Sequence, residues 1–469
     1  MMAPLRDARR AGPASQAPSG PSNPSVRAGL GQPLALVDGE MAPAVDISSH
    51  RLAASGGRGQ PGRLIGEALA HPMADFYLVL SAAGLLVALG VLMVLSSSSA
   101  YAAYHDLSVY YFVLRQVVFL AAGLPIMGWL SRRSEQFLSL SGWLVLIGAV
   151  GAQLVVLFTP LGSDRGKGNR NWLDLGVVTI QPSEFAKVGL IVWAAALLST
   201  RGRTIDRPGR LLVPLLPAFA VVLGLVLFGG DLGTAMIITA VLFAVLWFVG
   251  TPIWLLLSLG LTALTAVGLA VVTSPMRMQR MAGYLNPASA ISDQPQNALY
   301  ALASGGWWGV GLGASRQKWG GLADAALNDY VFAVLGEELG LVGTLAVIVL
   351  FTALGYAGLR IALRSTSTFF RIASAGITGW LLMQAVLNMA MAMKLTPVVG
   401  VPLPFISYGG SALMADLMGV GVLLAAARHE PVAAAVVGRS RMPGPRLTSV
   451  VDVPARGEGL TPRHSWSYR

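Results

Sequence analysis

About ten apolar stretches, each long enough to cross a bilayer, follow one another between residues 76 and 427. Nothing else in the chain constrains its fold as much. Their approximate spans are 76–97, 112–130, 137–158, 183–199, 211–229, 233–250, 253–273, 330–359, 371–393 and 411–427, some with polar interruptions. A hydrocarbon core of about 30 Å needs roughly twenty apolar residues in helical form. A helix satisfies its own backbone groups where no water is present. The lengths and the glycine content suit helices, and no run alternates as a barrel strand does. The expectation is an all-α polytopic membrane protein with about ten transmembrane helices. Composition agrees, since only 12% of the 469 residues are charged, about half the roughly 25% of a soluble domain.

Composition also excludes several chemistries. There is no cysteine, so disulfides and thiolate metal sites are ruled out. The five histidines, His50, His71, His105, His429 and His464, lie in tails or near helix ends, and no Ser–His–Asp triad or HExxH zinc site can be drawn from them. A net charge of +11 would suit nucleic acid. Much of the excess is arginine after Arg428, however, as the positive-inside rule expects of a cytoplasmic flank, so no nucleic-acid partner is expected. Residues 1–70, rich in Pro, Gly, Ser, Ala and Arg, read as a disordered cytoplasmic tail, and residues 431–469 read similarly. No apolar run follows the initial Met, so no cleavable signal peptide is expected. The membrane domain is then 71–430.

Orientation follows from the connections. Those after the second, fourth and eighth helices carry Arg132–Arg133, Arg201/Arg203/Arg207/Arg210 and Arg360/Arg364/Arg371, which belong on the cytoplasmic side. Both termini are then cytoplasmic, and 98–111, 159–181, 274–329 and 394–410 face outward. The connection 274–329, between helices 7 and 8, is the longest, and connections of that length are functional or disordered.

Two outward connections are richer in cations than the rule expects: 159–181 has Arg165, Lys167 and Arg170, and 274–329 has Arg277, Arg280, Arg316 and Lys318. Plain solvated charge is one reading. A site for an anionic phosphate or pyrophosphate at the outer leaflet is the other. In QPSEFAK (181–187), Glu184 and Lys187 share a helix face at i, i+3 and pair, either structurally or toward a cavity. In GGDLGT (229–234), Asp231 is poised as a helix N-cap. GVGLGAS (309–315) has neither a preceding strand nor a GK[ST] ending, so it is read as flexible backbone near a ligand rather than a nucleotide loop. PVVGVPLPFISYGGS (397–411) is non-helical at membrane depth, which requires a cavity or protein around it. It is expected to form a cavity wall near Gln384, Asn388 and Lys394. In LNDYVFAVLGEELG (327–340), Asp329 lies where the long basic connection meets the eighth helix. It is either a general base for a substrate hydroxyl or a helix N-cap. Glu337 and Glu338 lie about two turns deeper, with packing or helix-end contacts as open to them as chemistry.

QPSEFAK, DLGT, NPxxxxxxxQ…SGGWWGVGLGAS, NDYVFAVLGEELG and PVVGVPLPFISYGGS occur in this order. In that order they resemble the SEDS family (shape, elongation, division, sporulation) over residues 76–428. HPM at 71–73, GNRNW at 168–172 and AARHEP at 426–431 favour its division branch over its elongation branch. The resemblance implies a SEDS-type fold and a peptidoglycan glycosyltransferase for which lipid II is building block and donor. The family's catalytic aspartate falls on Asp329, and its conserved cavity pair falls on Glu184 and Lys187. The chain departs from the family pattern at Ala323–Asp324, Asn171, Val399 and Gly229–Gly230, which bears on fine substrate contacts.

The mechanism so implied is single displacement with inversion, giving a β-1,4 linkage at the outer face of the cytoplasmic membrane during septal wall synthesis. Asp329 takes the proton of a GlcNAc 4-hydroxyl, and undecaprenyl pyrophosphate leaves. Arg277, Arg280 and Lys318 are candidate pyrophosphate ligands, with Arg170 and Lys394 as further ones. Glu184, Lys187 and Ser411 complete the substrate-binding candidates. A divalent cation, Mg or Mn, could share the anion's charge, although the sequence offers no defined cage. Expected partners are lipid II, the undecaprenyl-pyrophosphate-linked glycan, a class B penicillin-binding protein, other division proteins and the membrane. A lipid II flippase, the elongation paralogue and a recruiting scaffold are the alternatives.

Overall fold

Apolar stretches of membrane length fold into helices of matching length. The computed structural model describes residues 71–164, 169–176, 178–200, 208–286, 293–322, 325–431 and 433. The chain divides into two units, Met1–Gly59 and Gln60–Arg469. The first unit, the expected tail 1–70, and all but the first residues of the expected tail 431–469 lie outside the described residues. The long helices are α1 (Ala74–Tyr104), α2 (Tyr111–Leu130), α3 (Glu135–Phe158), α4 (Pro182–Ser199), α5 (Pro208–Phe228), α6 (Leu232–Val249) and α7 (Ile253–Val272). The connection after α7 holds two shorter helices, α8 (Pro275–Leu285) and α9 (Gln294–Ser304), and then come α10 (Val331–Arg364), α11 (Thr368–Ala392) and α12 (Gly410–His429). Nine of these, among the described residues, are long and apolar enough to cross a membrane, and α5 adds the apolar run Leu212–Phe228. All ten expected spans are therefore helical.

Lipid tails are as apolar as leucine, so close packing rather than the hydrophobic effect holds such helices together, and small residues let them approach. Gly142 of α3 and Gly189 of α4 do this. A Cβ on Gly142 would lie 2.8 Å from Trp193 N, and one on Gly189 would lie 2.8 Å from Leu146 N. Helices α4, α11 and α12 are buried over most of their length, whereas α2 and α7 bury little of theirs. Polar residues on the three central helices therefore face protein, not lipid.

Two connections are more ordered than their composition announces. Residues 159–181 hold a small antiparallel sheet, β1 (Gly162–Ser163), β2 (Trp172–Asp174) and β3 (Thr179–Ile180), in the order β1-β2-β3, with Leu173 opposite both Gly162 and Ile180. The connection 274–329 is neither disordered nor featureless over its described residues, since α8, α9 and a 3-10 turn at Gln317–Trp319 occupy it.

Helix α10 is not continuous. Gly340 has φ 69° and ψ −164°, a combination accessible in practice only to glycine. The break would leave backbone groups unpaired at membrane depth, a cost of several kcal/mol for each. The strand of chain at 305–311 supplies the missing partners. Val310 N donates to Glu337 O at 2.9 Å and Gly311 N to Glu338 O at 3.1 Å, while Leu341 N and Val342 N donate to Gly306 O and Trp307 O at 2.9 and 3.2 Å. Side chains on Gly305 or Gly309 would overlap the carbonyls of Gly336 or Glu338. Gly309 and Gly311 of GVGLGAS therefore serve backbone-to-backbone contact with a broken helix. This corrects the expectation of flexible backbone beside a ligand.

Candidate active site

The four connections expected to face outward meet around one cavity of about 1980 Å3. Its walls include Leu107 from 98–111, Asn169 and Trp172 from 159–181, Arg280 and Asp329 from 274–329, and Lys394 and Tyr408 from 394–410. Residues so distant in sequence converge because the Pro/Gly-rich segment 397–409 is non-helical and is held in place by buried amides. Asn388 Nδ2 donates to Val401 O at 2.7 Å and to Asp329 O at 2.9 Å. Gln384 Nε2 donates to Pro402 O at 3.0 Å. Ser407 Oγ donates to Asn328 O at 2.6 Å. The segment is the cavity wall that the sequence leads one to expect, and it is tied to the main chain of Asp329.

Asp329 lies half-buried on that wall. The N-cap residue of α10 is Tyr330, one position after Asp329, and it makes no side-chain cap hydrogen bond. Burial pushes the Tyr330 phenol up, the Asp329 carboxylate adds to that shift, and Arg280 opposes it. Arg280 and Lys394 line the same cavity. Lys394 has φ 55°, at the left-handed position after a helix end where glycine is usual. A lysine there carries a backbone cost of about 1–2 kcal/mol, and its Nζ donates to Gln296 Oε1 at 3.1 Å.

Beneath the cavity, Glu184 and Lys187 form the expected i, i+3 pair, with Nζ 2.7 Å from Oε2 and both side chains buried. Lys187 also donates to Gln384 Oε1 at 2.8 Å and lies over the Trp380 ring. The pair thus holds Gln384, which in turn holds the wall. Asp231 caps α6 as expected, accepting from Thr234 N at 2.8 Å, and it also accepts from Gln181 Nε2 at 3.3 Å. Buried Ser411 accepts from Gln181 N at 3.2 Å. Glu184, Lys187 and Ser411 support the floor and do not line the cavity.

Three expected anion ligands lie elsewhere. Lys318 is fully buried. Its Nζ pairs with Glu338 at 2.9 Å and donates to Ser96 Oγ and Gly313 O at 2.9 and 2.8 Å. Arg277 donates to Ala270 O at 3.1 Å and Gly230 O at 3.0 Å, bridging the end of α7 to the turn before α6. Arg170 donates to Thr159 O at 2.6 Å within the small sheet's connection. None of the three lines the cavity. Arg165 and Lys167 lie outside the described residues. The two deeper glutamates are also explained. Glu337 accepts from Ser315 Oγ and from the backbone N–H of Arg316 and Gln317, and Glu338 accepts from Ser96, Ser315 N and Lys318. They clamp 313–318 to α1 and α10, and neither lines the cavity.

Sequence reasoning missed two features of the site. Arg115, in the first turns of α2, lines the cavity together with Tyr101, Tyr111, Phe112 and Tyr408. A charge early in an apolar span was the available signal. Buried Asp416 of α12 accepts from Phe405 N at 3.0 Å and so holds Phe405 at φ 64°; no local pattern announced it. Among the described residues, no group of three or more His, Asp or Glu side chains could hold a metal ion.

Residues 76–431 match the family model described as cell cycle protein, FtsW/RodA/SpoVE. A protein of Mycobacterium tuberculosis named as a probable peptidoglycan glycosyltransferase FtsW is 35% identical over 396 residues, covering 83% of this chain and 74% of that protein. The stage V sporulation protein E of Bacillus subtilis is 33% identical over 74% of this chain and 94% of its own length. Among solved structures, a chain of a peptidoglycan synthase complex that coordinates polymerization and crosslinking matches with TM-score 0.61 and 29% identity over 75% of this chain and 97% of its own. The rod shape determining protein RodA of Thermus thermophilus matches with TM-score 0.56 and 28% identity over 75% of this chain and 96% of its own.

Proposed function

The chain belongs to the FtsW/RodA/SpoVE family of cell cycle proteins, and from that premise we infer that this multi-pass membrane protein is a peptidoglycan glycosyltransferase polymerising lipid II at the outer membrane face during division. The observation that carries the reading to particular residues is Asp329, half-buried on a cavity wall that also bears Arg280 and Lys394. A carboxylate there accepts the proton of a saccharide hydroxyl. The hydroxyl oxygen bonds to the anomeric carbon of the lipid-linked donor, and the pyrophosphate leaves with the electron pair of the broken C–O bond. Hydrolytic glycosidases use two carboxylates, but a pyrophosphate needs little protonation to leave. One base with preplaced cations suffices. A divalent cation held by the pyrophosphate oxygens and a single carboxylate needs no protein cage, and Mg is often bound that way. Purified protein incubated with lipid II, with and without a class B penicillin-binding partner, tests the reading. Glycan strands are the expected product, and their absence under both conditions sinks it.

The cationic roles are reassigned accordingly. Arg280→Ala and Lys394→Ala are expected to raise the lipid II concentration for half-maximal rate about tenfold each, since a hydrogen bond to a charged group is worth about 1.5–3 kcal/mol. Arg277→Ala acts on stability instead, through the two carbonyls it bridges. Steady-state titration in detergent distinguishes them, and equal half-saturation for Arg280→Ala and the parent would remove Arg280 from the site.

The arginine-rich connections at the opposite end of the bundle support cytoplasmic termini, and the division-branch resemblance supports a septal location with a crosslinking partner and other division proteins. The native chain has no cysteine, which makes orientation testable. Exposed Ala314→Cys should react with a membrane-impermeant thiol reagent added outside, and exposed Arg132→Cys should not; the reverse labelling overturns the orientation.

A further inference from the structure

We propose that the α2 wall of the cavity is the acceptor subsite, in which Arg115 holds the pyrophosphate that stays on the incoming lipid-linked saccharide while Tyr101, Tyr111, Phe112 and Tyr408 support its sugar rings. This rests on the glycosyltransferase reading above. That reaction joins two substrates, each carrying a lipid pyrophosphate, and only one of these departs. The departing group is attached to the reacting carbon, beside the base. The retained group lies two sugar residues away from the reacting hydroxyl. The site therefore needs cations at two unequal distances from the base, with a surface for sugar rings between the base and the farther cation.

The cavity offers several cations and a row of aromatic rings. Its cationic lining residues, among those described, are Arg280, Lys394 and Arg115. Arg280 belongs to α8, and Lys394, at the end of α11, is held by Gln296 of α9. Arg115 belongs to α2, and a continuous aromatic row connects it to Asp329. Its guanidinium lies 5.1 Å from the centre of the Tyr111 ring. Tyr111 meets Phe112 at 5.1 Å, Phe112 meets Tyr408 at 5.2 Å and Tyr101 at 5.4 Å, all edge to face. Tyr408 N then donates to Leu327 O at 3.0 Å, two residues before Asp329. All four rings line the cavity. Such rings combine an apolar face with, in tyrosine, a polar edge, and ligand pockets are lined predominantly this way with a few placed polar groups. The guanidinium at the end of the row is the group best shaped to grip phosphate oxygens. The ordinary alternative is that Arg115 anchors α2 in the headgroup layer and the row is only packing.

The two are separated by giving each substrate one role. Lipid II capped by a further sugar on its 4-hydroxyl acts only as donor, and a lipid II analogue with a non-leaving phosphonate linkage acts only as acceptor. Single coupling of the pair by the purified full-length protein yields separate half-saturation values. Arg115→Ala is expected to raise the acceptor's value about tenfold or more while leaving the donor's within about twofold. Arg115→Lys, which keeps the charge, should recover part of the loss, and Tyr111→Ala should shift the acceptor's value in the same direction by less. No shift, an equal shift in both values, or a shift in the donor's alone overturns the assignment while leaving the Asp329 reading intact. Failure of the parent protein to couple the pair at all overturns both.

Discussion

Asp329→Asn is expected to abolish glycan synthesis from lipid II, with a loss of about 10²–10⁴-fold from removal of the general base alone. The main chain of this residue is anchored by contacts that the substitution leaves in place. Asn388 donates to its carbonyl, and its own N–H donates to Ala325 O at 3.1 Å. The amide keeps the shape of the carboxylate and lacks its basicity, so membrane insertion, elution as a monodisperse species in detergent and retention of lipid II should all survive. Strand formation followed on a gel is the measurement. Near-parental synthesis by the purified variant would show that the proton goes elsewhere and that the cavity wall serves only to bind.

Lys318→Ala is expected to cost stability rather than substrate affinity. The ammonium and its Glu338 partner are both fully buried. Removing one member of such a pair strands the other charge, at about 3–5 kcal/mol. The loss reaches further than the pair, because Glu338 also receives Ser96 of α1 and the backbone of Ser315, so the clamp on 313–318 loosens with it. A large drop in melting temperature in detergent should follow, with poor recovery of folded protein. Lys318→Met combined with Glu338→Gln removes both charges, keeps most of the volume and should recover much of the lost stability. An unchanged melting temperature with raised lipid II half-saturation would return Lys318 to the set of substrate ligands.

Lys318 and Arg280 illustrate how unevenly the site could be read from sequence. Both are cations in the one connection 274–329, and composition treats them alike. One is sealed into an ion pair against α1 and α10, and the other lines the cavity. The difference depends on contacts with residues such as Ser96, 222 positions away, which no local spacing encodes. Glu184 and Lys187 were legible because their pairing needs only helical geometry at i, i+3. Asp231 was legible as a cap for the same reason, since its partner Thr234 is three residues on. The cavity wall at 397–409 was foreseeable because Pro and Gly forbid a lipid-exposed helix there, but the buried amides that aim it at Asp329 come from another helix.

What the sequence determined by itself is whatever a bilayer and a short stretch of backbone impose: ten helical spans, the two ends of the bundle distinguished by arginine, the local pair and cap, and an irregular segment that must be enclosed. The tertiary structure alone decided which charges stay available. Gly340 breaks α10, and the glycine-rich strand 305–311 fills the break because unpaired backbone groups are intolerable at that depth. That docking buries Lys318 and spends Glu337 and Glu338 on holding the loop. The same long-range packing brings Arg115, Tyr408, Arg280 and Asp329, spread over roughly 300 residues of chain, onto the walls of one cavity. Helix periodicity reaches only a few residues along the chain, so it specifies each of these positions without specifying that they meet.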